Sequence, residues 1–347
     1  MKKITLIILI VLTALGRDLA REAGHDTLFV ATWNLENLFD TTNDAGKSDG
    51  EFTPESNIQW TQKRLDRKLT NLSKVIKEMN YKKGPDILGV VEVEHRSLLD
   101  SLIERYLKEN YYKVAYKESP DKRGIDNGII YNSKKLKLLN IVGDTVVLPD
   151  KYPTRLILNA NFLYKGKDTL VVFENHWPAR IGGEDKTEPN RISAAETLHK
   201  LVELYTEKNA GVNIIIMGDF NDEPGNKSVK EILAADSGIC VKNNDSNTGK
   251  SPVLFNLAYA DFSKGLGTYK YRNTWDMLDQ IIISRNMSDE GNLKYVCGSF
   301  QIFKPSFMVT KSGKYEGTPF PTYGGRKYLG GYSDHFPVTA KFVYSRR

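Results

Sequence analysis

Near the C-terminal end an aspartate and a histidine stand side by side, Asp334 and His335 in "GYSDHFPVTAKF", directly ahead of an apolar run that alternates as a strand does. The placement recurs along the chain. Asn34 closes "ATWN", Glu92 ends "LGVVEV", and His176 ends "VVFENH". Asp219 and Asn221 follow "VNIIIMG", and Asp279 opens "DQIIIS". Any one of these residues is an ordinary turn former, but six strand ends each carrying a carboxylate, an amide or an imidazole suggest one converging site. Carboxylates and amides without cysteine make a hard oxygen-donor set, suited to Mg²⁺ or Mn²⁺. Phosphate-ester hydrolysis needs charge neutralised on phosphoryl oxygens, an activated water and a protonated leaving group, which metal, carboxylate and imidazole supply. The H-E-x-x-H of a zinc protease and the G-x-S-x-G of a serine hydrolase are both absent from the sequence.

The elements that must hold these residues can be read from periodicity. "LFVATWNL" and "DILGVVEV" read as buried strands. Between them Leu65, Leu69, Leu72, Val75, Ile76 and Met79 recur at helical spacing across 61–80. A second amphipathic helix carries Leu98, Leu99, Leu102 and Ile103, and a third is expected to open at Asn190 and Arg191 and run to about Lys208. A short helix is expected near 227–235. Strands outnumber helices, and the short connections of the middle region suggest antiparallel pairing. The expected fold is an α/β four-layer sandwich of two packed, mainly antiparallel β-sheets flanked by helices, formed as one domain over 25–347. No internal repeat or low-complexity tract interrupts it.

Composition agrees with a globular chain: 40% hydrophobic and 27% charged over 347 residues. Lys2 and Lys3 followed by an apolar stretch from Ile4 to Leu15 read as a secretory signal peptide over about 1–24, too short to span a bilayer. Export to the periplasm or medium is therefore expected, with no stable membrane span in the mature form. The net charge is +6, and removal of the leader lowers it only slightly. That mild excess is compatible with a phosphate-bearing substrate but lacks the dense basic stripe of a dedicated nucleic-acid binder. Cys240 and Cys297 can pair in an oxidising compartment, and spacing alone does not decide whether they do.

The ordered set "TWNLENLF", "PDILGVVEVE", "NHW", "GDFND", "LDQIIIS" and "SDHFPV" resembles the endonuclease/exonuclease/phosphatase superfamily, which includes deoxyribonucleases, apurinic-site endonucleases, sphingomyelinases and inositol polyphosphate phosphatases. The resemblance spans about residues 28–344 and is nearest to exported, deoxyribonuclease-like members. It implies that Glu92 is the principal metal ligand, with Asn34 and Asp334 close to the ion or its waters. It implies that Asp279 orients His335, which activates water or stabilises the attacked phosphate. Asp219 and Asn221 then lie beside the nucleophile and phosphate, Asp219 being the rival base. His176 matches a second histidine that protonates the leaving oxygen, with Asp126 in "RGIDNGIIY" as its orienting acid or a substrate contact. Arg180 and Arg191 are expected to clamp a substrate phosphate, Arg191 at a helix N-terminus.

Other residues leave alternatives open. The loop "TTNDAGKSDGEFTP" carries Asp44, Asp49 and Glu51, which a calcium ion could bridge, although the spacing does not fit an EF-hand. Trp60, Tyr269, Tyr271 and Trp275 either stack on bases at a cleft or pack as core and rim. The substrate is a phosphate ester. DNA or RNA is the leading reading, with a small-molecule, inositol-phosphate or phospholipid ester, or a disused binding scaffold, as alternatives. The sequence points to no protein partner, and a monomer is expected.

Overall fold

A computed structural model describes residues 26–240, 253–288 and 291–345. The expected leader lies outside the described residues. The described residues build two seven-stranded sheets and two small hairpins, β11 (Tyr269–Tyr271) with β12 (Thr274–Asp276) and β16 (Tyr323–Gly324) with β17 (Lys327–Tyr328). The first contains β1 (Asp26–Leu38), β2 (Ile87–Val93), β3 (Tyr112–Tyr116), β4 (Asp126–Asn132), β14 (Leu293–Tyr295), β15 (Gln301–Ile302) and β18 (Val338–Tyr344), in the order β14-β18-β1-β2-β4-β3 with β15 on β18. The second runs β5 (Leu136–Asp144), β6 (Ile157–Tyr164), β7 (Asp168–His176), β8 (Asn213–Asp219), β13 (Asp279–Ser284), β10 (Leu254–Asn256) and β9 (Ala235–Asp236). Pairing is mainly antiparallel, as the sequence suggested.

The exceptions position the site. β1 pairs parallel with β2, and β7 pairs parallel with β8. Parallel neighbours need a crossover, and here each crossover is a long helix: α1 (Gln62–Lys82) between β1 and β2, and α3 (Glu184–Lys208) between β7 and β8. Both parallel pairs therefore deliver their C-terminal ends to one edge of the sandwich. Their antiparallel neighbours, β18 beside β1 and β13 beside β8, begin at that edge. This is why polar residues follow the apolar run in four strands and precede it in two.

Alternation along each strand separates three cores. Leu28 and Val30 of β1 and Ile215 and Met217 of β8 meet between the sheets. Phe29, Ala31 and Trp33 face outward against Leu65, Leu69 and Leu72 of α1 and Leu98, Leu99 and Leu102 of α2 (Arg96–Tyr106). Ile214 and Ile216 face outward against Ala194, Ala195 and Leu198 of α3. With both faces of both sheets covered, the strands read as continuous apolar runs rather than alternating ones.

Some expected boundaries move. α3 begins at Glu184, not Asn190, and contains Pro189. A proline inside a helix forfeits one hydrogen bond, but Glu184 and Asp185 in the first turn favour the helix N-terminus. The expected helix near 227–235 is a single wide turn, Ser228–Ile232. Between β14 and β15 the chain turns at Gly298 (φ 77°), next to Cys297, which is disulfide-bonded to Cys240 with Cα atoms 5.9 Å apart.

Candidate active site

Irregular backbone at the strand ends aims the polar side chains. β1 carries a bulge between Asn34 and Leu38, with Glu36 and Asn37 at positive φ (both 52°). β2 carries another between Val91 and Val93, with Glu92 at φ 62°. A bulge re-aims the residue it contains, and left-handed non-glycine backbone costs of order 1 kcal/mol or more per residue. Asn221 likewise sits at φ 49° and donates its N–H to Asp219 Oδ1 at 2.8 Å. Behind it, Gly218 allows β7 and β8 to touch: a Cβ there would lie 2.0 Å from the Asn175 carbonyl oxygen.

The two sheets exchange hydrogen bonds at this edge. Asn34 Nδ2 donates to Asp219 Oδ2 at 3.0 Å, and its Oδ1 accepts from Glu36 N at 2.9 Å. His335 Nδ1 lies 2.7 Å from Asp279 Oδ2. Trp33 Nε1 donates to the His335 carbonyl, and Ser333 Oγ joins Asn34 O to His335 N. Both histidines approach one carboxylate: His176 Nε2 and His335 Nε2 are each 3.9 Å from Asp219 Oδ2, and His176 Nε2 is also 3.9 Å from Glu92 Oε1. Asn37 N donates to Glu92 Oε2 at 2.9 Å. Thus Asn34, Glu92, His176, Asp219, Asn221, Asp279, Asp334 and His335 all sit on the one edge where β1, β2, β7, β8, β13 and β18 end or begin.

The surroundings of the two rings push their titrations in opposite directions. Burial alone would lower His335, but Asp279 in hydrogen-bond contact, with Asp334 and Asp219, holds it well above its ordinary value. Burial lowers His176 well below its ordinary value, and Arg155, Arg123 and His335 add to this. Groups whose environments push them apart divide acid from base roles. Burial raises Asp219 to about 6 against the pull of His335. Burial, with Glu36 and Glu92 nearby, raises Asp334 to about 7 despite His335 and Lys68.

Asp334, raised by burial and by the neighbouring carboxylates of Glu36 and Glu92, is a group that a divalent cation would relieve. Glu92, Asp334 and the Asn34 amide are hard oxygen donors and fit Mg²⁺ or Mn²⁺. Ligand atoms of Asp219, Asp279 and His335 also lie within 4.8 Å of one another. There, however, the 2.7 Å contact between His335 Nδ1 and Asp279 Oδ2 already draws two of the three together.

Two expected site residues, Asp126 and Arg191, are corrected. Asp126 does not orient His176: its carboxylate accepts from Ser119 N at 2.6 Å and from the hydroxyls of Ser119 and Tyr116, while His176 Nδ1 has no hydrogen-bond partner among the described residues. Those bonds and its burial also remove it as a substrate contact. Arg191 lies within α3 and is fully buried, its Nε 2.6 Å from Asp222 Oδ1 and its other nitrogens bonded to Thr187 Oγ1 and Glu184 O. It cannot reach solvent to clamp a phosphate. Arg180 brackets the Asn221 backbone, donating to its carbonyl at 2.7 Å and to Asp222 and Asn226.

Several contributors were missed. Arg155 donates to the His176 and Trp177 carbonyls and pairs with Asp121. Arg123 is exposed and donates to Asn37 Oδ1 at 2.5 Å, beside the strand end that holds Glu92. Lys68, fully buried on α1, donates to Thr322 Oγ1 and Tyr332 O and lies 3.6 Å from Glu36. It was legible as a cation inside the apolar stripe between Leu65 and Leu72. Glu174 in "ENHW" is fully buried behind the site, accepting from Thr32 Oγ1 at 2.8 Å, and burial with Asp279 and Asp219 raises it well above its ordinary value. Among the aromatics, Trp60 is core, bonded to Phe39 O. Tyr269 stacks on His335 at 4.7 Å, and Trp275 on Phe336. An open depression of about 370 Å³ lined by Asp168, Asn213 and Asn286 lies at the opposite end of β7 and β8, remote from these groups.

An endonuclease/exonuclease/phosphatase family model matches residues 29–344. The chain belongs to that family. Solved structures with the same fold include truncated TDP2 from Caenorhabditis elegans, at 16% identity and TM-score 0.54, covering 91% of this chain and 97% of that one. The mannosyl-6-phosphatase of Bacteroides thetaiotaomicron matches at 15% identity and TM-score 0.56, covering 91% and 100%. The human Nocturnin catalytic domain with bound sulfate matches at 16% and 0.52, covering 92% and 98%. No curated protein matches the sequence. As a member of the family the chain is a phosphoester hydrolase. No helix among the described residues is long and apolar enough to cross a membrane.

Proposed function

We propose that this family member is an exported, divalent-metal-dependent phosphodiesterase acting on nucleic acid. The carrying observation is the approach of two oppositely poised histidines, His176 and His335, to within 3.9 Å of Asp219. Glu92, Asn34 and Asp334 would hold Mg²⁺ or Mn²⁺, which when bound neutralises phosphoryl charge as a Lewis acid. His335, kept protonated by Asp279, donates a hydrogen bond to a non-bridging phosphoryl oxygen. Asp219, kept ionised by the neighbouring imidazolium, accepts the proton of the attacking water, and Asn221 fixes its carboxylate. An anionic phosphate offsets the burial and the cations that keep His176 neutral. His176 therefore takes up a proton with the substrate and gives it to the leaving oxygen as the phosphorus–oxygen bond breaks.

Exposed Arg123, rather than Arg191, is the cation that meets the substrate phosphate. Export is supported by the leader-like N-terminal sequence and by the Cys240–Cys297 disulfide, which persists in oxidising compartments. The nucleic-acid reading draws on a solved TDP2 from D. rerio complexed with single-strand DNA product. The mannosyl-6-phosphatase neighbour and the modest basic charge favour a small phosphoester as the second reading.

The deciding experiment compares plasmid DNA, bis-p-nitrophenyl phosphate and p-nitrophenyl phosphate, each with Mg²⁺ or with EDTA. Mg²⁺-dependent nicking that weakens steeply with salt supports the proposal. Turnover of the small diester or monoester with intact plasmid overturns the nucleic-acid assignment, and full activity in EDTA overturns the metal.

A further inference from the structure

A second acidic cluster lies just outside the catalytic edge, where the loop after β1 passes the residue following β2. Ligand oxygens of Asp44, Asp49 and Glu94 lie within 4.8 Å of one another. Asp49 and Glu94 are 1% and 2% exposed, and Asp49 Oδ1 and Glu94 Oε1 are shielded from solvent without a hydrogen-bond partner. The second oxygen of each is fixed by backbone: Asp49 Oδ2 accepts from Asp44 N at 2.9 Å, and Glu94 Oε2 from Asp40 N at 2.7 Å. The loop therefore turns one oxygen of each carboxylate inward toward the other, and with no donor between them only a shared proton or a cation can join the two. The nearby lysine does not help, since Lys47 Nζ reaches away to Asp121 O at 2.8 Å. The one basic side chain in ion-pair contact with the cluster, among the described residues, is His95, with Nε2 3.0 Å from Asp44 Oδ2.

We infer that Asp44, Asp49 and Glu94 form a Ca²⁺ site, separate from the catalytic centre, that clamps the 40–53 loop to the chain beyond Glu92. The donors are all hard oxygens, the imidazole is occupied by Asp44, and the half-exposed Asp44 side leaves room for the water ligands that Ca²⁺ tolerates in irregular geometry. Glu51, which the sequence offered as a ligand, is exposed on the next turn, and its place is taken by Glu94 from a distant strand end. Bound Ca²⁺ would stiffen the segment whose neighbours Asn37 and Glu92 are hydrogen-bonded at the catalytic edge.

The test uses the full mature chain stripped with EDTA, desalted and supplied with excess Mg²⁺ to fill the catalytic centre. Calcium is titrated by calorimetry, and melting is followed in parallel. The expected result is one Ca²⁺ per chain and a rise of several degrees in Tm, with Kd weakened at least tenfold in both Asp49→Asn and Asp44→Asn and little changed in Glu92→Gln. Should buried Asp49→Asn fail to fold, the more exposed Asp44→Asn decides alone. Absence of calcium binding, or binding lost in Glu92→Gln but retained in Asp44→Asn, overturns the site.

Discussion

Asp279 and His335, 56 residues apart in sequence, meet at 2.7 Å across the gap between the two sheets. The aspartate opens a strand of the second sheet and the histidine precedes one of the first, so their contact exists only when both sheets are in place. Asp279→Asn keeps the shape but removes the charge that overrides burial. His335 should then titrate at lower pH, visible by imidazole NMR, and kcat should fall about 10²- to 10⁴-fold. An unchanged imidazole titration would show that the pair does not set the ring's charge.

Lys68 and Glu36 tie α1 to the segment carrying Asp334. Glu36 accepts from the Thr322 and Tyr323 N–H groups, at 2.6 and 3.1 Å, while Lys68 bonds Thr322 Oγ1 and Tyr332 O. Removing one member leaves the other charge buried, so Lys68→Met should destabilise the fold by about 3–5 kcal/mol. Denaturant unfolding measures this. Pairing Lys68→Met with Glu36→Gln should recover part of the loss, and no recovery would mean that the charges do not interact.

Glu174 supplies a pH dependence of stability. Its carboxyl is raised in the folded state, so the folded chain keeps a proton that the unfolded chain releases above its ordinary value of 4.5. Its contribution is thus complete below that pH and is lost as pH rises toward the folded value. Glu174→Gln, which retains an acceptor for Thr32, should gain in Tm relative to wild type between pH 5 and 8. A difference that stays flat with pH would mean that Glu174 is ionised in the fold.

The disulfide between Cys240 and Cys297 spans 57 residues of sequence. Loop-closure arguments give about 4 kcal/mol for a loop of this length. Reduction, or Cys240→Ala with Cys297→Ala, should lower Tm by several degrees without altering the catalytic edge, which neither residue touches. Thermal melts with and without reductant, paired with activity at low temperature, check both parts.

The sandwich and its polar edge were legible because strand ends are local: an apolar run that stops at an acid or amide announces itself. What could not be read was what each side chain spends its hydrogen bonds on. Arg191 looked like a phosphate clamp because its partner Asp222 lies beyond β8, and because α3 starts at Glu184, well before the expected Asn190. Asp126 looked free to orient His176 until folding placed Ser119 and Tyr116 against it. Glu94 passed unremarked because its cluster joins a loop to a strand end some 45 residues away.

The order of strands carries one more consequence. The chain starts the first sheet, leaves it after β4 to build the whole second sheet, and returns to finish the first with β18. Asp334 and His335 are thus the last residues of the catalytic edge to arrive, and the strand behind them closes a loop of nearly the full chain length onto β1. Closures of that span are slow. A full-length chain whose last strand has not yet docked on β1 possesses every residue of the hydrolase and none of its activity.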